Sequence, residues 1–178
     1  MSGFAVGYGN PDQASLDDMM KRMAHRGPHL CGTGRAGRVM MAQNVCRADA
    51  KGDVSKEILP VQDPTEPERM ICYDGQMGNL DQLARDAGVG DVVFPEEETA
   101  LRLYRQQGAD FLKLLDDTIF ALVIADGQDF LAARDLLGIK TLFYGHKGDT
   151  TYFASELKAL APITDEIYEF PAGHYMDS

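Results

Sequence analysis

Tryptophan is absent from the 178 residues, and cysteine occurs only three times. Cys31, Cys46 and Cys72 are odd in number and unclustered, which argues against a disulfide framework. They read as free buried thiols of a reducing cytoplasm. Basic residues are scarce: 17 Lys and Arg stand against 28 Asp and Glu, a net charge of −11. An acidic surface repels phosphate backbones and anionic headgroups, so neither nucleic acid nor a membrane is an expected partner. The chain shows no basic region followed by an apolar one, so no secretory leader is expected. The longest purely apolar run, Ile119 to Ala125, is far too short to span a bilayer. Linkers, internal repeats and low-complexity tracts are also missing. What remains is an ordinary hydrophobic fraction of 44% in a length that suits one domain, 1–178, with a real core.

The stretch Ser2-Gly3-Phe4-Ala5-Val6-Gly7-Tyr8 is short, small and apolar, and ends in the turn signal Gly9-Asn10-Pro11. It reads as a buried strand. Some hydrolases use a first-residue Ser, Thr or Cys as nucleophile with its own α-amine as base, and a strand here would place Ser2 for that role. Asn10-Pro11 then predicts a helix start with Pro at the first helical position. Leu16, Met19, Met20 and Met23 follow at helical spacing and predict a core-facing stripe. Gly27 and Pro28 predict its end. The spacing G-x-G-x-x-G occurs over residues 32–37, but a dinucleotide fingerprint needs a strand before it and a helix after it. Here a helix and a proline precede it and the strand-like stretch Arg38 to Ala42 follows, so it reads as a flexible turn into a strand. His25, His29 and Cys31 lie close together without the paired spacing of a zinc site, so no metal is expected.

Residues 47–68 read as loop. Arg69 to Tyr73 reads as a strand entering a turn at Asp74-Gly75-Gln76. Helices are predicted around Leu80 to Ala84, closed by Gly88, and from Glu96 to Gln107, with acids in the first turn. Residues 109–115 add a helical piece. Thr118 to Ala125, apolar and β-prone, predicts a strand covered on both faces. Asp126-Gly127 is a hairpin signal, with Phe130 to Ala133 as its return strand. Two more strands flank the turn at Lys147-Gly148-Asp149, and a short helix covers Glu156 to Ala161. Hairpins with a few amphipathic helices indicate an α+β fold.

Five local motifs carry a resemblance. These are His25-Arg26-Gly27-Pro28, the segment Tyr73 to Asn79 (YDGQMGN), the segment Arg134 to Tyr144 (RDLLGIKTLFY), the segment Ser155 to Leu160 (SELKAL), and Phe170 to Tyr175 (FPAGHY). Their order along the whole chain resembles the N-terminal glutaminase domain of asparagine synthetases, a class II glutamine amidotransferase. That resemblance implies a four-layer αββα sandwich of the N-terminal-nucleophile hydrolase type. It also implies a nucleophilic Cys at position 2, exposed by Met removal. An Asn side chain and a Gly N–H would form the oxyanion hole, an Arg would hold the substrate carboxylate, and acidic side chains its amine. No cofactor is implied. The implied partner is a synthetase domain that receives ammonia.

The sequence departs from that pattern at most of these places. The nucleophile position is Ser2, and the oxyanion Asn is Asp74, although Gly75 is kept. Gln76 stands for a Glu. By motif spacing, Asn44 stands for the carboxylate-binding Arg and Glu96 for the amine-binding Asp. The ATP-pyrophosphatase signature of a synthetase domain is absent. A carboxylate at position 74 donates nothing to a developing oxyanion. Two readings follow. One is a glutaminase-like protein without hydrolysis, a binding or scaffolding subunit for a separate synthetase or other protein. The other is a working Ser-dependent amidohydrolase. Counting only Asp74 and Glu96 leaves the pocket doubly negative, which predicts a small amide or amine as its ligand.

Overall fold

Side chains on the first strand alternate between two environments. In β1 (Ser2–Tyr8), Phe4 and Val6 join one buried cluster and Ala5 joins another. Period-two alternation requires this when both faces of a strand are covered. A computed structural model describes residues 2–46 and 58–178. In it β1 lies inside a six-stranded antiparallel sheet, between β3 (Val39–Val45) and β9 (Thr150–Ala154). β2 (Leu30–Ala36) closes one edge, and β8 (Phe143–Lys147) with β10 (Ile167–Glu169) closes the other.

A second sheet of five strands contains β4 (Val61–Gln62), β5 (Arg69–Met77), β6 (Thr118–Asp126), β7 (Asp129–Arg134) and β11 (Tyr175–Asp177). Three apolar clusters define the layers. Phe4, Val6 and Met41 from the first sheet meet Cys72, Val123 and Ala132 from the second. The first sheet's other face (Ala5, Ala42) packs on α1 (Gln13–Arg22) and α4 (Leu157–Leu160) through Leu16, Met19 and Leu160. The second sheet's other face (Ile71, Leu122, Ile124) packs on α2 (Leu80–Ala87) and α3 (Pro95–Gln107) through Leu83, Ala100 and Leu103. The order is helix, sheet, sheet, helix: an α+β sandwich of four layers. As the apolar pattern required, Thr118 to Ala125 lies within the strand β6 and is covered on both faces, with Phe120, Leu122 and Ile124 in one cluster and Ala121, Val123 and Ala125 in another.

Five local expectations are corrected. α1 is capped by Asp12, whose carboxylate accepts from the Ser15 N–H at 2.8 Å and the Ser15 hydroxyl at 2.7 Å; Pro11 precedes the cap and is not a helical residue. The glycine-rich 32–37 stretch is a paired strand and not a flexible turn. Glycine permits its close approach to the Leu59 backbone, which a Cβ at Gly32 would strike. Asp74-Gly75-Gln76 is no turn, because β5 continues through it in register with β6. Of the three thiols, all free, only Cys72 is buried, while Cys31 is exposed. The loop expected over 47–68 contains the short β4, and its part at 47–57 lies outside the described residues. The strands β10 and β11 carried no sequence signal strong enough to be foreseen.

The Ser15 hydroxyl and N–H hold the Asp12 pKa below its ordinary value of 3.8. An N-cap carboxylate contributes about 1 kcal/mol. Asp12→Ala is therefore expected to cost about that much at neutral pH, and Asn10→Ala much less, in urea denaturation. A depressed folded pKa means the contribution is present above the ordinary carboxylate range. It should fade as pH falls through the lower folded value, so the two variants converge in acid.

Candidate functional site

The same alternation that builds the core also aims the first side chains of the site. Ser2 shares the parity of Phe4, and Asp74 that of Cys72, so both face the gap between the sheets at one end of the sandwich. The Ser2 N–H donates to Asp74 Oδ1 at 3.0 Å. Asp74 is 1% exposed, and a buried carboxylate is costly unless paired. Arg26 Nη2 donates to Asp74 Oδ2 at 2.7 Å, and Lys140 Nζ to Oδ1 at 3.1 Å. Arg26 also donates from Nε to the Ser2 carbonyl at 2.8 Å and from Nη1 to Glu156 Oε1 at 3.1 Å. One guanidinium thus ties the first strand to two acids through three groups.

Each partner arrives from a different local structure. Arg26 ends a short 3-10 turn, Ala24–Arg26, that follows α1. Gly27 comes next, where a Cβ would strike the β3 backbone at Asn44 and Val45. Lys140 ends a loop pinned by the buried Asp135, whose carboxylate accepts N–H groups of Leu137, Ile139 and Lys140 at 3.0–3.1 Å. Glu156 stands at the N-terminal end of α4 without a side-chain cap bond, and its carboxylate accepts from Arg26, from Lys158 at 2.9 Å and from His25 at 3.0 Å. Burial opposes its ionisation, but those three hydrogen bonds prevail and set its pKa below the usual value.

The remaining expected residues fall in different places. Glu96, in the first turn of α3, accepts the Met77 N–H through Oε1 at 2.6 Å. Burial raises its pKa against that hydrogen bond and the Lys140 charge, with Asp74 adding to the rise. Gly75 sits under the Tyr73 ring, where a Cβ would collide with the ring and with the Ile119 carbonyl. Gln76 lines a cavity of about 360 Å³ with Asp116, Asp135, Leu136 and others. Asn44 is buried on the opposite face of its sheet from Ser2. Its amide donates to the Met23 carbonyl at 2.9 Å, and its Oδ1 lies close enough to Gly3 to exclude a Cβ there. The residue directly across from Ser2 in the ladder is Val45. The arrangement brings Ser2 and Asp74 together and places Glu96 in electrostatic reach of Asp74; it does not bring in Asn44.

Spacing singled out neither Arg26, Lys140 nor Glu156. All three lie inside motifs quoted above: HRGP, RDLLGIKTLFY and SELKAL. Membership in those motifs was the available signal; in the fold Arg26 and Lys140 meet Asp74, and Glu156 meets Arg26. Arg26 and Lys140 also change the local charge, adding two cations beside the acids.

The fold and motif order define the class of this chain. A family model described as a glutamine amidotransferase domain matches residues 1–177, and the chain belongs to that family. Within it the likeness is to class II domains of the asparagine synthetase type. A probable glutamine-hydrolysing asparagine synthetase of Schizosaccharomyces pombe is 34% identical over 167 residues, covering 90% of this chain and 29% of that protein. Asparagine synthetase B of Escherichia coli is 29% identical over 163 residues, covering 89% and 29%. The chain therefore spans less than a third of the length of these relatives. The solved structure of glutamine phosphoribosylpyrophosphate amidotransferase from B. subtilis matches 99% of this chain and 47% of that one, with a TM-score of 0.79 at 16% identity. That likeness is one of fold, the N-terminal-nucleophile hydrolase fold. No helix among the described residues is long and apolar enough to cross a membrane.

Removing one member of a largely buried ion cluster leaves the others uncompensated, at a cost of about 3 kcal/mol or more. Arg26→Met keeps the aliphatic stem and deletes the guanidinium. It is expected to lower stability by about that amount in urea denaturation, whereas Arg22→Met, which loses only an exposed pair with Asp18, should change it by less than about 1 kcal/mol.

Proposed function

We propose that this glutamine amidotransferase domain does not hydrolyse glutamine and serves as a binding or scaffolding subunit for a separate protein. The reading takes 1–178 as one domain and a synthetase or another protein subunit as its partner. The observation that carries it is the pairing of Asp74. Both carboxylate oxygens already accept from Ser2, Arg26 and Lys140. An oxyanion hole needs donors aimed at developing charge, and this side chain supplies an acceptor. Loss of one such donor is worth about 3 kcal/mol of transition-state stabilisation.

The position of Asp74 bears on the base as well. In a mature chain starting at Ser2, the residue-2 nitrogen would be an α-amine. A carboxylate at 3.0 Å favours its ammonium form, which cannot take the serine proton. A serine hydroxyl is also far less ionised near neutrality than the thiol it replaces. Ligand binding survives these losses. Glu96, which accepts the Met77 N–H through Oε1, is the group that would meet the amine of a small amide or amine.

Purified protein incubated with glutamine is expected to release ammonia no faster than background. Turnover of about one per second, the low end of ordinary enzymes, would overturn the reading and establish serine-dependent hydrolysis. Ser2→Cys alone is expected to stay at background in the same assay, because residues that act as a unit are not repaired singly. Restored turnover in that variant would show position 2 to be the sole defect.

A further inference from the structure

The fold guards its sheet edges unevenly. The outer strands β10 and β11 are three residues long and β4 is two, and short edge strands resist pairing with another chain. Where β5 runs on past β4, Gln43 Nε2 donates to the Tyr73 carbonyl at 2.8 Å and Glu96 takes the Met77 N–H, so side chains of the same molecule use that edge. β2 differs. It is the outermost strand of the first sheet and is seven residues long. It pairs with β3 in unbroken register, from Leu30 opposite Val45 to Ala36 opposite Val39, with no bulge. It carries neither the proline nor the lysine that commonly blunts an edge.

Strand geometry fixes which groups face outward. Residues 37 and 38 form a two-residue hairpin loop, so Ala36 and Val39 exchange main-chain hydrogen bonds, as does every second pair behind them. The N–H and C=O groups of Leu30, Gly32, Gly34 and Ala36 therefore turn to β3. Those of Cys31, Thr33 and Arg35 turn away from the sheet, and none of them bonds to another described residue. The same three side chains are exposed on the face that carries α1, whereas Gly32 and Gly34 lie against Leu59 and Met70 on the inner face. Among the described residues the Arg35 guanidinium donates only to the Gly37 carbonyl, at 3.4 Å.

A three-residue array with Thr33 at its centre is its own complement. A second β2, run antiparallel with Thr33 opposite Thr33, sets Cys31 opposite Arg35 on both sides of a two-fold axis and satisfies the outward groups of all three residues. A Thr–Thr pair directly across two strands is favourable. Residues 28–46 hold no Asp or Glu, so the hairpin meets its copy without bringing its own acids together. The two Arg35 backbones would lie about 14 Å apart, beyond the Debye length of about 8 Å at physiological salt. Each guanidinium meets the Cys31 end of the other copy instead. Burial and the neighbouring Asp17 carboxylate of α1 push the Cys31 thiol up, which sets an acid beside that end. We propose that two copies of this chain pair through β2, in an antiparallel ladder centred on Thr33 that joins their first sheets into one. The pairing does not depend on the chemistry at Asp74.

Sedimentation of the full chain is expected to show a monomer–dimer equilibrium, and nothing beyond the dimer because the ladder closes on itself. Thr33→Cys in a Cys31→Ser background should link two chains through residue 33 under a mild oxidant, since hydrogen-bonded partners lie about 5.5 Å apart at Cα. Arg35→Cys in that background should not, its two copies being about 14 Å apart. Arg35→Glu and Asp17→Lys, both at exposed positions, are each expected to weaken dimerisation by about tenfold, and the two together to restore it. A monomer at every concentration up to about 1 mM would overturn the proposal. So would assembly beyond the dimer, linking at residue 33 no faster than at residue 35, or a charge reversal that the second substitution does not restore.

Discussion

One buried carboxylate organises this end of the molecule. Asp74 lies within a strand whose neighbours are almost all apolar, and an unpaired charge there would cost several kcal/mol. Its compensation draws Arg26, Lys140 and the Ser2 N–H to within 3.1 Å. Those groups belong to the turn after α1, the loop after β7 and the first strand. Segments more than sixty residues apart in sequence are thereby held at a common point. The cluster therefore acts as a positional lock, whatever its net contribution to stability.

The lock works only because the two sheets meet with the right parity. A shift of one residue in the β1–β3 ladder would turn Ser2 toward the helices and Gly3 toward Asp74. The small residues around the cluster preserve that register. Gly3 leaves room for Asn44, and Gly27 lets the turn bearing Arg26 lie against β3. Packing on the outer faces is ordinary by comparison, with methionines from α1 filling one side and leucines from α2 and α3 the other.

Membership of the glutamine amidotransferase family fixes the scaffold and leaves the chemistry to the site. Here a group that only accepts hydrogen bonds stands at the centre of a set of donors. Arg26 and Lys140 pair with Asp74, and Arg26 also holds the Ser2 carbonyl. A second feature of the same segment points outward. Asp135 and Arg134 satisfy most of the polar backbone of the 136–140 turn from within, and its leucines face water.

The sequence by itself determined the elements whose signals are local. The stripe through Leu16, Met19, Met20 and Met23, the apolar run of β6 and the Asp126-Gly127 hairpin were legible because periodicity and turn chemistry act over a few residues. Motif order along the chain carried the family and, through it, the four layers. Tertiary structure decided the rest. Asp74-Gly75 looks like a turn in isolation, since both residues favour one; pairing with β6 outweighs that preference. Asn44 was placed by linear spacing, which does not say which face of a strand a residue occupies. The β1–β3 register says so, and gives the face across from Ser2 to Val45. Most of all, Arg26, Lys140 and Glu156 are unremarkable charges along the chain. Only the fold brings Arg26 and Lys140 to Asp74 and Glu156 to Arg26, because Coulomb attraction depends on separation in space and takes no account of separation in sequence.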